Sequence, residues 1–143
     1  MADTSALKEV SEYAISQVAL KLDASLTKKS VVIGTANKLK AFDGVSKDAD
    51  IVVKILNHSG FTSGGNKPSA KIRSTFADCY FLNLTKARHK ILAFTNYEFY
   101  KIFSDESGSL LDGIELMFVE LPDHYKAIAN RVTEQASEEM TKI

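Results

Sequence analysis

One cysteine, Cys79, two prolines and no net formal charge are what 143 residues offer. A single thiol permits no internal disulfide, which excludes a disulfide-stapled secreted scaffold. Lys plus Arg is 18 and Asp plus Glu is 18. No global field therefore draws the chain onto nucleic acid or acidic lipid, and any polyanion site has to be a local concentration of charge. Long apolar runs are missing as well. The stretch from Ile114 to Pro122 is broken by Glu115 and Glu120, and nothing approaches the ~20 residues of a membrane helix. The opening Met-Ala-Asp-Thr-Ser has neither a basic start nor an apolar core. That reads against a signal peptide and for a cytoplasmic protein. Low-complexity tracts and internal repeats are also absent.

What is present suits one globular domain over residues 1–143. Apolar residues make up 45% and charged residues 25%, ordinary proportions for such a fold. A chain of this length buries roughly 70% of its unfolded surface and needs no staples.

Periodicity orders the elements. Leu7, Val10, Ala14, Val18 and Leu22 recur at helical spacing, predicting a helix over 5–26, capped by Ser5 and ended by Lys28-Lys29-Ser30. Val31 to Ile33 suggests a short buried strand, and Gly34 to Phe42 a turn and a second strand. Asp43-Gly44 and Lys47 to Asp50 carry turn chemistry. Ile51 to Leu56 is a β-branched strand. A polar loop from Asn57 to Asn66 holds glycines at 60, 64 and 65. Its length and composition mark it as a functional loop. A helix over Pro68 to Thr85 follows, with Ile72, Phe76, Cys79, Tyr80 and Leu84 as its apolar side. His89 to Thr95 is a strand, Tyr97 to Phe103 a short helix, Ile114 to Leu121 a strand, and 123–140 a terminal helix with Tyr125, Ile128, Ala129 and Val132 inward.

The order α, β, β, β, α, β, α, β, α predicts antiparallel early strands and a parallel crossover between the last two. The expected fold class is α/β: a three-layer α/β/α arrangement around a central mixed sheet. A Rossmann domain and a P-loop are excluded, because neither glycine motif is present.

Three places can carry chemistry. Asp43 precedes the strand Ile51 to Leu56. That strand ends in Lys54 and then Asn57-His58. In the next helix Lys67, Lys71, Ser74 and Asp78 fall at i, i+4, i+7 and i+11, on one face away from Ile72, Phe76 and Cys79. Lys67, Lys71 and Arg73 also make a basic patch beside glycine amides, and such a patch can hold phosphate on a neutral protein.

The pattern Phe42-Asp43-Gly44-Val45-Ser46, then Ile51-Val52-Val53, then Asn57-His58-Ser59-Gly60 resembles the core of the PD-(D/E)XK superfamily, the restriction-endonuclease-like nucleases. Gly64-Gly65-Asn66-Lys67 to Asp78, the strand to Thr95 and the strand ending Glu120-Leu121-Pro122 are similar to small members of it. The likeness covers about residues 30 to 122. It implies magnesium-dependent phosphodiester cleavage of DNA, in which an aspartate and a second carboxylate hold the metal and a lysine steadies the attacking water. Such enzymes often act as homodimers. Asp43 matches the first acid and is the implied metal ligand. The second acid falls at position 54, where this chain has Lys54. The motif lysine falls at Leu56, and Lys67 or Lys71 of the following helix is the implied substitute. Asn57, His58, Lys67 and Arg73 are the implied DNA contacts. A glutamate of the first helix, Glu9 or Glu12, can reach such a site.

Lys54 departs from the pattern in a way that has physical weight. Magnesium takes oxygen ligands. An ammonium removes one acceptor and adds a like charge, costing roughly 4 kcal/mol per unit metal charge at ~4 Å and an effective dielectric of ~20. Lys54 is therefore expected to pair with Asp43 in the metal's place, leaving the chain an impaired or inactive nuclease. Restoring the acid by Lys54→Glu is expected to raise magnesium affinity.

Other readings stand beside these. Asp43-Gly44 is a common turn pair. Lys54 can guard an edge strand. The helical Lys67/Lys71 face can be plain solvated surface, and Cys79 a buried structural thiol. The whole chain can be a non-catalytic protein-interaction or DNA-binding module, or a small enzyme pairing His58 with Asp43 as acid and base.

Overall fold

The computed structural model describes residues 4–60 and 67–131. Helix α1 spans Thr4–Leu22. Val10, Ala14 and Val18, each four residues on from the last, are 0% exposed, so one stripe holds it to the core. It stops four residues before the expected end, because Asp23 turns left-handed (φ 51°). Lys28-Lys29-Ser30 is not a helix end. It lies inside strand β1, Thr27–Ile33.

Strand β2 covers Lys38–Val45 and β3 covers Ile51–Leu56. The tip between β1 and β2 closes through Gly34 (φ 64°), with Asn37 (φ 56°) in the same left-handed region, which glycine and asparagine enter most readily. Asp43-Gly44 is strand, not turn. The turn to β3 lies at 46–50, as the sequence suggested, and the Ser46 hydroxyl accepts from the backbone N–H groups of Asp50 and Ile51. Helix α2 is Ser69–Asn83, shorter than expected at both ends, with Pro68 just outside it.

Strand β4 is His89–Phe94, helix α3 is Tyr97–Ser107 and strand β5 is Ile114–Phe118. The third helix runs four residues beyond Phe103, and the last strand ends three residues before Leu121. A fourth helix, α4, begins at 123 and is described to 131. The remainder of the expected terminal helix, Val132 included, lies outside the described residues, as do Gly64, Gly65 and Asn66.

The five strands form one mixed sheet in the order β1-β2-β3-β4-β5. β1, β2 and β3 pair antiparallel, while β3–β4 and β4–β5 pair parallel. Helices cover both faces. Ile72, Cys79 and Leu82 of α2 and Phe99 and Phe103 of α3 pack with Val52, Leu56 and Phe94 on one side. Ala14, Ile15 and Val18 of α1 pack with Val53, Ile55 and Ile91 on the other. Ala129 of α4 joins Val10 and Leu121. A strand covered on both faces reads as a continuous apolar run rather than an alternating one. β3 obeys this except at Lys54. Because β3 is the middle strand, Lys54 guards no sheet edge.

On α2 and just past its end the expected apolar side holds at Ile72, Phe76, Cys79 and Leu84, which all pack in or against the core, and fails at Tyr80. Ile72 and Cys79 are buried, but Thr75 and Leu82 complete the buried face, and Tyr80 is 63% exposed. Burial raises the Cys79 thiol to about 11, the nearby Asp78 carboxylate adding to the effect. This is an unreactive structural cysteine.

Candidate functional site

β2 is irregular near its C-terminal end, where the resemblance puts its first acid. Thr27 pairs with Val45 and Lys29 with Phe42, so Asp43 and Gly44 together face the single residue Lys28. That is a β-bulge, a device that re-aims one side chain. A Cβ on Gly44 would stand 2.6 Å from Ile15 Cδ1, the tip of an α1 side chain, so strand and helix approach closely here. The Asp-Gly pair thus serves a close helix-to-sheet approach, which local turn preferences do not reveal.

On its other side β2 pairs with β3 at Gly44–Val53 and Val45–Val52. One step further the same register sets Asp43 opposite Lys54. At that point the Asp43 carboxylate replaces a strand carbonyl: Ile55 N–H donates to Asp43 Oδ2 at 2.7 Å. Lys54 Nζ stands 3.8 Å from the same oxygen. The expected pairing of Lys54 with Asp43 is the geometry observed.

Further charges gather on the α2 side of this pair. Lys54 sits between Val52 and Leu56, which face α2. Burial raises the Asp78 carboxyl above its ordinary value, while Lys54 and Lys40 pull it down and Asp43 pushes it up. His58, just beyond β3, is lowered to about 4, first by burial and then by Lys71 and Lys54. Its ring meets Phe99 edge-on at 5.4 Å. Lys71 Nζ donates to the Ser59 hydroxyl at 3.1 Å, and burial lowers its pKa. Asp43, Lys54, His58, Lys71 and Asp78 thus form one electrostatic neighbourhood. At neutral pH its imidazole is uncharged; Lys54 faces both carboxyl groups, Lys40 adds to the field at Asp78, and Lys71 lies by the imidazole.

This donor set does not fit magnesium. One Asp43 oxygen already accepts a backbone N–H and faces an ammonium, and no group of three potential metal ligands gathers among the described residues. Glu12 does share a pocket of about 290 Å³ with Asp43 beneath α1, but Lys8 and Lys28 line it too. The chemistry these groups can perform is to hold an anion's oxygens with Lys54 and Lys71, next to a neutral imidazole. An acid–base pair of His58 with Asp43 finds no support in the geometry: the charges felt by His58 belong to lysines.

The other candidates are dispersed. Lys67 does not join Lys71 at the cluster but pairs with Glu106 of α3. Arg73 is exposed on α2. Asn57 is occupied structurally: its amide donates to Ser11 of α1 at 3.0 Å and its carbonyl accepts from Thr95 at 2.6 Å. It thereby ties the ends of β3 and β4 to α1. Near these strand ends lies a second pocket, of about 190 Å³, lined by Asn57, Thr95, Asn96 and Glu120 among others. Ser59 and Thr95 were missed as partners. Each is a polar residue just past an apolar strand, the only signal the sequence offers for them.

Comparison with protein-family models, curated proteins and solved structures finds no match to the chain. No helix among the described residues is long and apolar enough to cross a membrane.

Proposed function

We propose that the chain is a restriction-endonuclease-like DNA-binding domain whose cleavage site is closed by an internal ion pair. The observation that carries this reading is the Lys54 ammonium 3.8 Å from Asp43 Oδ2, where β2 bulges and leaves β3. The resemblance requires a second carboxylate at that position, and an ammonium fills the space a cation would take. Support also comes from an antiparallel β1–β2–β3 meander joined through α2 to a parallel β4, an element order similar to that of the family. Lys54 and Lys71 hold the phosphodiester, and hydrolysis does not follow.

A labelled DNA duplex titrated at several salt concentrations tests this. Binding through phosphates weakens steeply with salt, each contact adding about −0.9 to the slope of log K against log salt. Wild-type protein is expected to bind without cutting, with or without magnesium. Lys54→Glu is expected to gain magnesium affinity by titration calorimetry. Absence of DNA binding at low salt, or cleavage by the wild type, overturns the proposal. Salt-insensitive association with a protein partner and none with DNA favours the interaction-module reading instead.

A further inference from the structure

The zero net charge conceals a strong segregation. Between residues 24 and 97 there are 12 Lys and Arg against 4 Asp and Glu, and from 98 to the end there are 4 against 10. Among the described residues, the sheet order sets the basic hairpin apart from the acidic segment that follows β4. β1 and β2 occupy one edge of the sheet, and β5 the other. The basic extreme is the β1–β2 hairpin: residues 24–42 contain Lys28, Lys29, Lys38 and Lys40 and no acid at all.

Register arranges three of these lysines in a row. Lys29 pairs with Phe42, Lys40 with Val31 and Lys38 with Ile33. Phe42, Val31 and Ile33 all belong to the core cluster shared with α2, so the three rungs present one face. Each rung couples an apolar residue to a lysine whose stem can lie along it. Successive rungs are two residues apart, about 6.8 Å along the strand, with Lys29 on β1 and Lys40 and Lys38 on β2. None of the three makes an ion pair within 4 Å among the described residues, although Lys40 lies near enough to Asp78 to favour its ionised form.

The row is held in place. Gly34 N–H donates to Leu84 O beyond α2 at 3.0 Å, fixing the hairpin tip. Lys40 Nζ lies 4.7 Å from the centre of the Phe81 ring. Phe81 in turn meets the exposed Tyr80 edge-on at 5.7 Å. Preorganisation of this kind lowers the entropy lost on binding.

We infer that the Lys29–Lys40–Lys38 row of the β1–β2 hairpin is the principal docking surface for the backbone of duplex DNA. The inference rests on the DNA-binding reading above but moves the main contact from the post-β3 loop and the α2 lysines to the hairpin. Phosphate contacts of this type position a duplex without reading its sequence.

The test compares wild type with a Lys29→Ala/Lys38→Ala/Lys40→Ala variant on a labelled duplex across a salt series, using fluorescence anisotropy. A control variant, Lys101→Ala/Lys126→Ala, removes two lysines from the acidic end. The hairpin variant is expected to bind at least tenfold more weakly and to lose two to three contacts' worth of salt slope, while the control binds as wild type. Circular dichroism verifies that the hairpin variant is folded, and single Lys29→Ala and Lys38→Ala variants replace it otherwise. Wild-type binding that the hairpin variants leave unchanged overturns this inference and spares the DNA-binding reading. No wild-type binding overturns both. Low-salt self-association by sedimentation without DNA binding assigns the basic edge to the acidic edge of a second copy and likewise overturns it.

Discussion

Replacing Lys54 by glutamate converts an attraction at the β2–β3 opening into a repulsion. At ~4 Å and an effective dielectric of ~20, the unscreened interaction is about 4 kcal/mol in either direction. The Lys54 side chain is 34% exposed and that of Asp43 23%, so water screens much of it, and exposed pairs are worth ~0–1 kcal/mol. Losing the attraction and gaining the repulsion therefore destabilises Lys54→Glu by roughly 1–2 kcal/mol. At ~4 °C per kcal/mol for a domain of this size, the midpoint falls by about 4–8 °C in chelator. Two adjacent carboxylates then make a site magnesium can use. At one hundred times its dissociation constant, a ligand that binds only the folded state adds about 2.7 kcal/mol, enough to reverse the loss. Lys54→Met, which removes the attraction without adding an acceptor, is expected to show no magnesium response. Thermal unfolding of the three proteins in chelator and in millimolar magnesium gives the answer. A Lys54→Glu protein that melts like wild type in chelator and ignores magnesium refutes the argument that positions 43 and 54 form one ion-sized slot.

Three further outcomes are expected. His58 is neutral and half-buried, with a pKa of about 4 against 6.5 for the free group; the unfolded chain takes up the proton first. Its contribution is whole above pH 6.5 and declines as pH falls toward 4, by roughly 3 kcal/mol at the low end, and urea midpoints of His58→Gln should depend less on pH over that window. Gly60→Ala sets a Cβ 2.6 Å from Glu98 Cβ and 3.2 Å from Phe99 N, so the loop or the start of α3 must move at a cost of about 1–3 kcal/mol, measurable by denaturant titration. Asn96→Ala removes the side chain that accepts from Phe99 N–H at 2.9 Å and should destabilise by ~1 kcal/mol, with faster amide exchange in the first turn of α3.

Much of the architecture was legible because it depends on period and order. Val10, Ala14 and Val18 announce α1 whatever they pack against, and the β-branched run of β3 admits only a strand. The succession of elements then constrains strand direction, since a helix between two strands favours a parallel return. Boundaries were less legible. Lys28-Lys29-Ser30 reads as a polar helix end, yet an edge strand tolerates polar residues on both faces, and pairing with β2 decides its state. Tyr80 reads as core by helical spacing, but Leu82 takes the buried position and Tyr80 faces out.

The sequence by itself settled the composition of the candidate site: an acid at 43, an ammonium at 54 where the resemblance wants an acid, and lysines following a glycine loop. Tertiary structure alone decided that Asp43 sits in a bulge rather than a turn, that its carboxylate takes the Ile55 N–H, and that Lys71 reaches the cluster while Lys67 turns to Glu106. It also placed the lysine-rich β1–β2 hairpin at the sheet edge opposite β5, the strand that carries Glu115. Local pattern is governed by backbone period and side-chain polarity, which a linear chain displays; which groups meet is governed by long-range pairing and close packing, which it does not.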